Sequence, residues 1–265
     1  MSSQPKGGAR PSPFYSHGGF WPIYKRELFA FFVTPLAWVL IGVFLVVQGM
    51  HFYLLIEHFS NAGEIASDQT PVQAFFGNTV LLYLVLFLLV PAMTMRLFAE
   101  ERRSGTIETL MTAPVSSAAV VLAKYASALT TYVAMWAPTV LYLVILARTG
   151  TLDWQVAASS YLGVVLVGAG YLSLGLLASA VTKSQFLALV LSAMVILVLF
   201  ILGIAEFVTP EGSTLHDVCA YVSVWAQMND FASGIVDLRR VTFNVTLIVL
   251  PLFVTTRAVD AWRWG

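Results

Sequence analysis

Long apolar runs without charges at their centres alternate along the chain with short polar segments. A helix needs roughly 20 apolar residues to cross a bilayer core of about 30 Å. The pattern therefore predicts an all-α membrane protein with six transmembrane helices, at residues 35–56, 75–95, 118–147, 156–181, 186–207 and 241–256. The third run is longer than the hydrocarbon requires, so we expect it to tilt, to kink at Pro138 or to project into the cytosol.

Residues 20–33 have the apolar spacing of a helix but are too charged to span the membrane. Aromatic and aliphatic side chains surround a patch that contains Trp21, Lys25, Arg26 and Glu27. This pattern predicts an N-terminal helix that lies at the membrane interface. The alternative is an extension of the first span, although Pro35 and the charges favour a break. Residues 1–19, rich in Ser, Gly and Pro, are expected to form a disordered tail before a single membrane domain at 20–265.

The segment 209–238, before the last apolar run, is also too polar to span. Its apolar residues recur at spacings of three and four, which predicts one or two short helices at the outer surface. Trp225 and Phe231 are candidate residues of an outer lid or gate. Simple capping of the bundle fits the same pattern equally well.

Small residues line the fourth apolar run at positions where a membrane helix would otherwise carry larger side chains. They are Gly163, Gly168, Gly170, Ser173 and Gly175. Such residues let helices approach closely, so the pattern favours tight packing inside one bundle. A substrate path or a dimer seam is the alternative interpretation.

Composition supports the membrane interpretation and excludes several other classes. The chain is 58% hydrophobic and 11% charged, whereas soluble domains carry about 25% charged residues. Fourteen basic and fourteen acidic residues give no net charge, so no basic field is available to bind nucleic acid. A single cysteine, Cys219, excludes an intrachain disulfide and a Cys-x-x-Cys zinc site.

The positions of Lys and Arg indicate the orientation of the spans, because basic loops are retained on the cytoplasmic side. With a cytoplasmic N-terminus, most basic residues fall inside, and Arg148, Arg239 and Arg240 fall outside. Both termini are therefore predicted to be cytoplasmic.

The loop at residues 94–114, TMRLFAEERRSGTIETLMTAP, is the longest polar connection on the predicted inner side. Charged and apolar residues alternate at helical spacing from Arg96 to Arg103. Ser104 and Gly105 can end that helix, and Thr106 can cap a second short one. A helix that binds a partner and a solvated charged loop are both compatible with these residues.

No catalytic centre, cofactor site or metal site is predicted in this chain. An ATP-binding loop would need Gly-x-x-x-x-Gly-Lys-Ser/Thr, and the chain has no Gly-Lys pair. No ionisable residue is predicted near the bilayer midplane, which weakens a secondary transporter.

Three segments carry a resemblance to a known family. MRLFAEERRSGTIETLMTAPVS closely resembles the cytoplasmic signature of ABC-2-type transporter permeases, in particular the gliding-motility-associated and copper-processing (NosY-like) members. FASGIVDLRR with the later RAVDAWRW, and the opening KRELFAFFVTPLAWV, are similar to the same family. The resemblance covers residues 24–264.

This resemblance implies a six-span permease in the bacterial inner membrane that exports an unidentified substrate and pairs with a second permease protomer, identical or different. A separate ABC ATPase subunit would bind ATP and magnesium and drive it through a coupling helix between spans two and three. The implied contact residues are Arg96, Glu100, Glu101, Arg102, Thr106 and Glu108. Residues 20–33 match the family's connecting helix.

Two alternatives remain open from the sequence. The chain could be a non-transporting subunit that transmits ATP-driven force to an outer or periplasmic partner. It could also be a secondary transporter, which would work without any ATPase.

Overall fold

The computed structural model describes residues 19–61, 70–77, 80–106, 115–149, 152–210 and 212–264, and these ranges contain helices and no β-strand. Short 3₁₀ turns at Ala137–Thr139 and Ala205–Phe207 accompany the α-helices. In chain order the α-helices are α1 (Phe20–Val33), α2 (Pro35–Asn61), α3 (Pro71–Phe76), α4 (Val80–Thr94), α5 (Ala99–Ser104), α6 (Ser117–Trp136), α7 (Val140–Thr149), α8 (Trp154–Val181), α9 (Gln185–Ile204), α10 (Thr214–Val222), α11 (Val224–Ala232) and α12 (Leu238–Trp264).

Within these ranges six helical segments are long and apolar enough to cross a membrane. They are Pro35–Ser60, Leu81–Ser104, Ser117–Arg148, Trp154–Val181, Gln185–Phe207 and Leu238–Trp262. The predicted all-α fold with six membrane helices is confirmed.

Helix α8 is the centre of the bundle and packs against α4, α6, α9, α11 and α12. Its small residues make these contacts possible. A methyl group added at Gly168 would overlap the ring of Tyr132, and one at Gly163 would overlap Phe231. Likewise, Gly170 lies against Leu247. Packing within the chain therefore accounts for the small residues of the fourth span.

The third span breaks at Pro138, which was one of the three expectations for this long run. Proline has no N–H to donate to the preceding helical turn, and residues Ala137–Thr139 form a 3₁₀ turn between α6 and α7. The Thr139 hydroxyl donates to the Trp136 carbonyl at 2.7 Å and lies 2.7 Å from the Tyr161 hydroxyl. At the break, the Thr139 hydroxyl therefore supplies a hydrogen bond to the backbone carbonyl of Trp136.

The second span begins later than the predicted residue 75. Phe75 and Phe76 belong to the separate helix α3, because Thr70 and Gln73 form a capping box at its start. The Gln73 amide N–H donates to the Thr70 hydroxyl at 3.3 Å, and the Thr70 N–H donates to the Gln73 side chain at 2.9 Å. The chain then re-enters a helix at Val80.

Helix α1 has the predicted bounds, and Thr34 with extended backbone angles separates it from α2. It is therefore a distinct helix and not an extension of the first span. The segment that was predicted to form one or two short helices before the last span forms two, α10 and α11.

The two ends of the bundle can be named from the helices they carry. Ser159, near the start of α8, contacts Phe231 of α11, whereas Ser179, near its end, contacts the residues before α5. We call these ends the α11 side and the α5 side.

Candidate functional site

Helix α5 is short, and its N-terminus is fixed by a side chain of α8. The Ser179 hydroxyl accepts hydrogen bonds from the N–H groups of Phe98 at 3.0 Å and Ala99 at 3.1 Å, and donates to the Met95 carbonyl at 3.1 Å. Gly105, with φ of 73°, ends the helix in the left-handed conformation that favours glycine. The predicted helix end at Ser104 and Gly105 is confirmed.

Arg102 ties α5 to two membrane helices. Its Nη1 donates to the carbonyl of Ala180 at 2.7 Å and to that of Thr182 at 3.3 Å. These carbonyls lie at the C-terminal end of α8, where a helix attracts positive charge. The guanidinium carbon also lies 4.5 Å from the centre of the Trp262 ring of α12. Arg102 therefore holds α5 against both α8 and α12.

Four charged side chains join α1, α5 and α6. Arg26 Nη2 lies 2.6 Å from Glu27 Oε1 and 3.0 Å from Glu101 Oε1. Lys124 Nζ lies 3.0 Å from Glu101 Oε1 and 3.2 Å from Glu27 Oε1. The Lys124 side chain is only 1% exposed, and its ammonium lies 5.2 Å from the centre of the Phe98 ring. We call Arg26, Glu27, Glu101 and Lys124 the charge cluster.

Opposite charges within the cluster outweigh the effect of burial on Glu27 and on Arg26. Burial opposes the charge on Glu27, but Lys124 and Arg26 outweigh it and hold the Glu27 pKa below its ordinary value. Burial likewise opposes the charge on Arg26, but Glu27 and Glu101 outweigh it and raise the Arg26 pKa. The two cations and two carboxylates balance, so the cluster adds no net charge.

A cleft of about 800 Å³ opens between α1 and α5 beside the charge cluster. Arg96, Glu100 and Thr106 line it together with all four cluster residues. The Arg96 guanidinium carbon lies 5.2 Å from the centre of the Phe31 ring, which anchors it to α1. Glu100 and Thr106 are exposed, so this cleft presents both charge and hydroxyl groups on the α5 side.

The structure brings most of the predicted contact residues together but gives them different surroundings. Glu101 and Arg102 bond within the chain, so they are not free for a partner in the way that the charged pattern suggested. On α1, Trp21 is exposed, and the Lys25 ammonium lies 5.3 Å from the centre of its ring. Glu108 and most of the predicted second short helix lie outside the described residues.

Sequence reasoning missed Lys124, Ser179 and Trp262 as parts of this site. Lys124 had a signal, because it is a lone basic residue inside an apolar run and such a residue requires a partner. Ser179 and Trp262 had none, because a serine and a tryptophan near a span end are ordinary in membrane helices.

The candidate lid residues are held in the bundle on the α11 side. Phe231 is fully buried, and its carbonyl accepts a hydrogen bond from the Ser159 hydroxyl at 2.7 Å. The Trp225 ring lies 5.2 Å from Tyr83 and 6.4 Å from Phe207. These contacts fit a helix that caps the bundle, and a gating role stays a prediction.

Polar contacts attach the two short helices α10 and α11 to α12. The Asn244 amide donates to Gln227 Oε1 at 2.8 Å, and both side chains are buried. Arg240 Nε lies 3.0 Å from Asp230 Oδ2, and its Nη1 donates to the Ala220 carbonyl at 2.6 Å. The hairpin of α10 and α11 is thus attached to the first turns of α12.

Comparison with protein families gives a match that covers most of the chain. The model described as ABC-2 family transporter protein matches residues 55–255, which include α5 and Lys124 but not α1. No curated protein matches the chain.

Proposed function

The chain belongs to the ABC-2 family of transporter proteins and is a permease subunit of an ABC transporter; we propose that it works as an exporter driven through α5 and α1. The family implies an ABC ATPase partner and, in general, a dimeric arrangement, with ATP hydrolysis in the partner. The finer assignment to the gliding-motility-associated or NosY-like branch rests on the resemblance of the loop at 94–114 and of the two other segments.

The observation that carries the proposal is the cleft between α1 and α5. Its exposed charged residues lie on α1 and α5, and side chains of α5 contact α6, α8 and α12. A surface that receives force from another subunit needs exposed groups that bind the subunit and firm attachment to the spans, because a loosely attached helix would move without displacing the spans. The proposed direct contacts are Arg96, Glu100, Thr106 and Glu108.

Glu101 and Arg102 have a different role in this proposal. Their side chains are bonded to Lys124 and to the end of α8, respectively, so they position α5. ATP binding by the partner would favour one of two arrangements of the spans, and the bias would arise from different contacts with α5 in the two states.

We also propose that the α5 side faces the cytoplasm, so that both termini are cytoplasmic, in a bacterial inner membrane. The distribution of basic residues supports this orientation. Arg148, Arg239 and Arg240 lie near the ends of helices on the α11 side. The α5 side carries Lys25, Arg26, Arg96, Arg102, Arg103, Lys124, Lys183 and Arg257.

A charge reversal at Glu100 tests the contact. The complex would be purified from native membranes through a tag on this chain, and the ATPase subunit and its activity would be measured. We expect Glu100→Lys to weaken retention of the ATPase subunit and to lower the coupled activity, because an exposed charge at the interface changes sign. The matched control is Glu57→Lys, an exposed carboxylate on the first span near the α11 side, which should change neither.

Each contrary result has a distinct meaning. If Glu100→Lys retains full binding and activity, the proposed contact is wrong. If an ATPase subunit is recovered but reconstituted vesicles move no substrate, the force-transmitting alternative replaces export. If transport persists without any ATPase, the chain acts as a secondary transporter.

A further inference from the structure

A second cleft, of about 670 Å³, opens on the α11 side between α10 and the start of α12, and we call it the α10 cleft. Thr214, Asp217 and Tyr221 line one wall, and their spacing of three and four residues places them on one face of α10. Asp237 and Arg239 line the other wall. The Tyr221 hydroxyl donates to the Arg239 carbonyl at 3.3 Å, so the two walls meet there. The α10 cleft therefore brings together charged groups from two helices.

Two of the charged side chains in the α10 cleft are available to a ligand. Arg240, which also lines it, is already paired with Asp230 at 3.0 Å. Asp237 Oδ1 accepts the backbone N–H of Arg239 at 2.8 Å. By contrast, the Asp217 carboxylate and the Arg239 guanidinium are exposed, and neither has a side-chain partner among the residues that the structure describes.

The position of the α10 cleft relative to the last span indicates contact with lipid headgroups. That span covers Leu238–Trp262, 25 residues. A helix of this length measures about 37 Å, which exceeds the roughly 30 Å of the hydrocarbon core. The charged residues at its start therefore reach the headgroup layer. Leu215, Val218 and Leu238 are exposed apolar residues beside these charges, and such a mixed surface is typical of protein at the boundary between lipid and water.

We propose that the α10 cleft binds a phospholipid whose headgroup carries both a phosphodiester and a primary ammonium. Arg239 binds the phosphate, because a guanidinium donates in a fork that matches phosphate oxygens. Asp217 accepts hydrogen bonds from the ammonium. The exposed side chains of Leu215, Val218 and Leu238 contact the upper part of the acyl chains.

The charges of the α10 cleft select this headgroup over the alternatives. Beside the paired Arg240, the described lining holds two carboxylates, Asp217 and Asp237, and the guanidinium of Arg239. A purely anionic headgroup would meet more negative than positive charge there. A quaternary ammonium has no N–H to donate to a carboxylate and is bound by cages of aromatic rings, whereas the described lining supplies the ring of Tyr221 alone.

Native mass spectrometry of the assembly purified from native membranes tests the proposal. The probes are phosphatidylethanolamine, phosphatidylcholine and phosphatidylglycerol with identical acyl chains. The dissociation constant of each lipid would be compared between wild type and Arg239→Gln or Asp217→Asn at the same lipid concentration, so that binding elsewhere on the spans cancels. The matched controls are Arg148→Gln and Glu57→Gln, which neutralise exposed charges near the same side.

We expect wild type to bind phosphatidylethanolamine several-fold more tightly than the other two lipids. Arg239→Gln and Asp217→Asn should each raise its dissociation constant several-fold, whereas the controls should not. Binding of phosphatidylglycerol should not weaken in Asp217→Asn, because that lipid carries no ammonium. Both positions are exposed, and an unchanged melting temperature would show that the variants remain folded.

Three results would overturn the proposal. The first is equal affinity of wild type for the three lipids, and the second is retention of the preference in both variants. The third is full displacement of the lipid by equimolar soluble glycerophosphoethanolamine, because the acyl chains would then contribute nothing. Loss of a bound protein or of a second copy of the chain from the variants, with lipid binding unchanged, would assign the α10 cleft to a protein contact instead.

Discussion

Removal of the buried cation in the charge cluster is the sharpest test of how α5 is attached. Lys124→Met replaces the ammonium with an apolar side chain of similar length in a position that is 1% exposed. Glu27 and Glu101, which are 13% and 17% exposed, would then keep only Arg26 as a partner. The variant therefore leaves excess negative charge where α1, α5 and α6 meet.

The expected loss follows from the geometry of the cluster. Removing one partner of a buried ion pair typically costs about 3–5 kcal/mol, because the other charge is left uncompensated. Arg26 remains in contact with both carboxylates here. We therefore expect Lys124→Met to lower the free energy of unfolding by roughly 2–3 kcal/mol, below the usual range for a fully isolated charge.

Equilibrium unfolding in mixed micelles, followed by far-UV circular dichroism, measures this difference. The matched control is Lys183→Met, which removes an exposed lysine in the turn between α8 and α9 on the same side. Among the described residues this exposed lysine has no such partners, and an exposed lysine of this kind contributes little, so the control should unfold like the wild type.

A second substitution separates loss of charge balance from loss of packing. Glu101→Gln in the Lys124→Met background removes the uncompensated carboxylate, so it should recover part of the stability that the first substitution removed. If Lys124→Met unfolds like Lys183→Met, or if Glu101→Gln deepens the loss, the ion pairs do not hold α5 in place.

Three further predictions use the same unfolding measurement. The Glu27 pKa is lowered in the folded state, so its stabilising effect is complete above the ordinary value of 4.5 and is lost as the pH falls through the folded-state pKa. Glu27→Gln should abolish this loss of stability at acidic pH. Gly168→Ala forces a methyl group into the facing tyrosine ring and should cost about 1–3 kcal/mol, whereas Gly42→Ala, with open space around the added carbon, should stabilise α2 by about 0.5–1 kcal/mol. Asn244→Leu leaves the buried Gln227 oxygen unpaired and should cost about 1–3 kcal/mol.

The fold was predictable because its main signals are local. Six apolar runs, a break at Pro138 and the helical spacing of residues 20–33 are all properties of neighbouring residues. The length needed to cross a bilayer then identifies the apolar runs as spans, and this step needs little knowledge of tertiary contacts. The start of the second span was harder to predict, because the residues that set it include the capping pair Thr70 and Gln73, which lie outside the apolar run.

The site was predictable only in part because its contacts join residues far apart in the sequence. The charged pattern located α5, but it could not distinguish exposed Glu100 from Glu101, which pairs with Lys124. Nor could it assign Arg102 to the carbonyl end of α8 and the ring of Trp262. Adjacent charges on a short helix have different surroundings once the neighbouring spans are in place.

The attachments of α5 explain how a helix of one and a half turns could transmit motion. Glu101 connects it to α1 and α6, Ser179 and Arg102 connect it to α8, and Trp262 connects it to α12. Since α8 contacts most of the other spans through its small residues, a displacement of α5 cannot remain local without breaking several bonds at once. Trp262→Ala removes one attachment and leaves the exposed Glu100 unchanged, so it should retain the ATPase subunit while lowering coupled activity. Equal loss of binding and coupling would show instead that Trp262 only supports the shape of the docking surface.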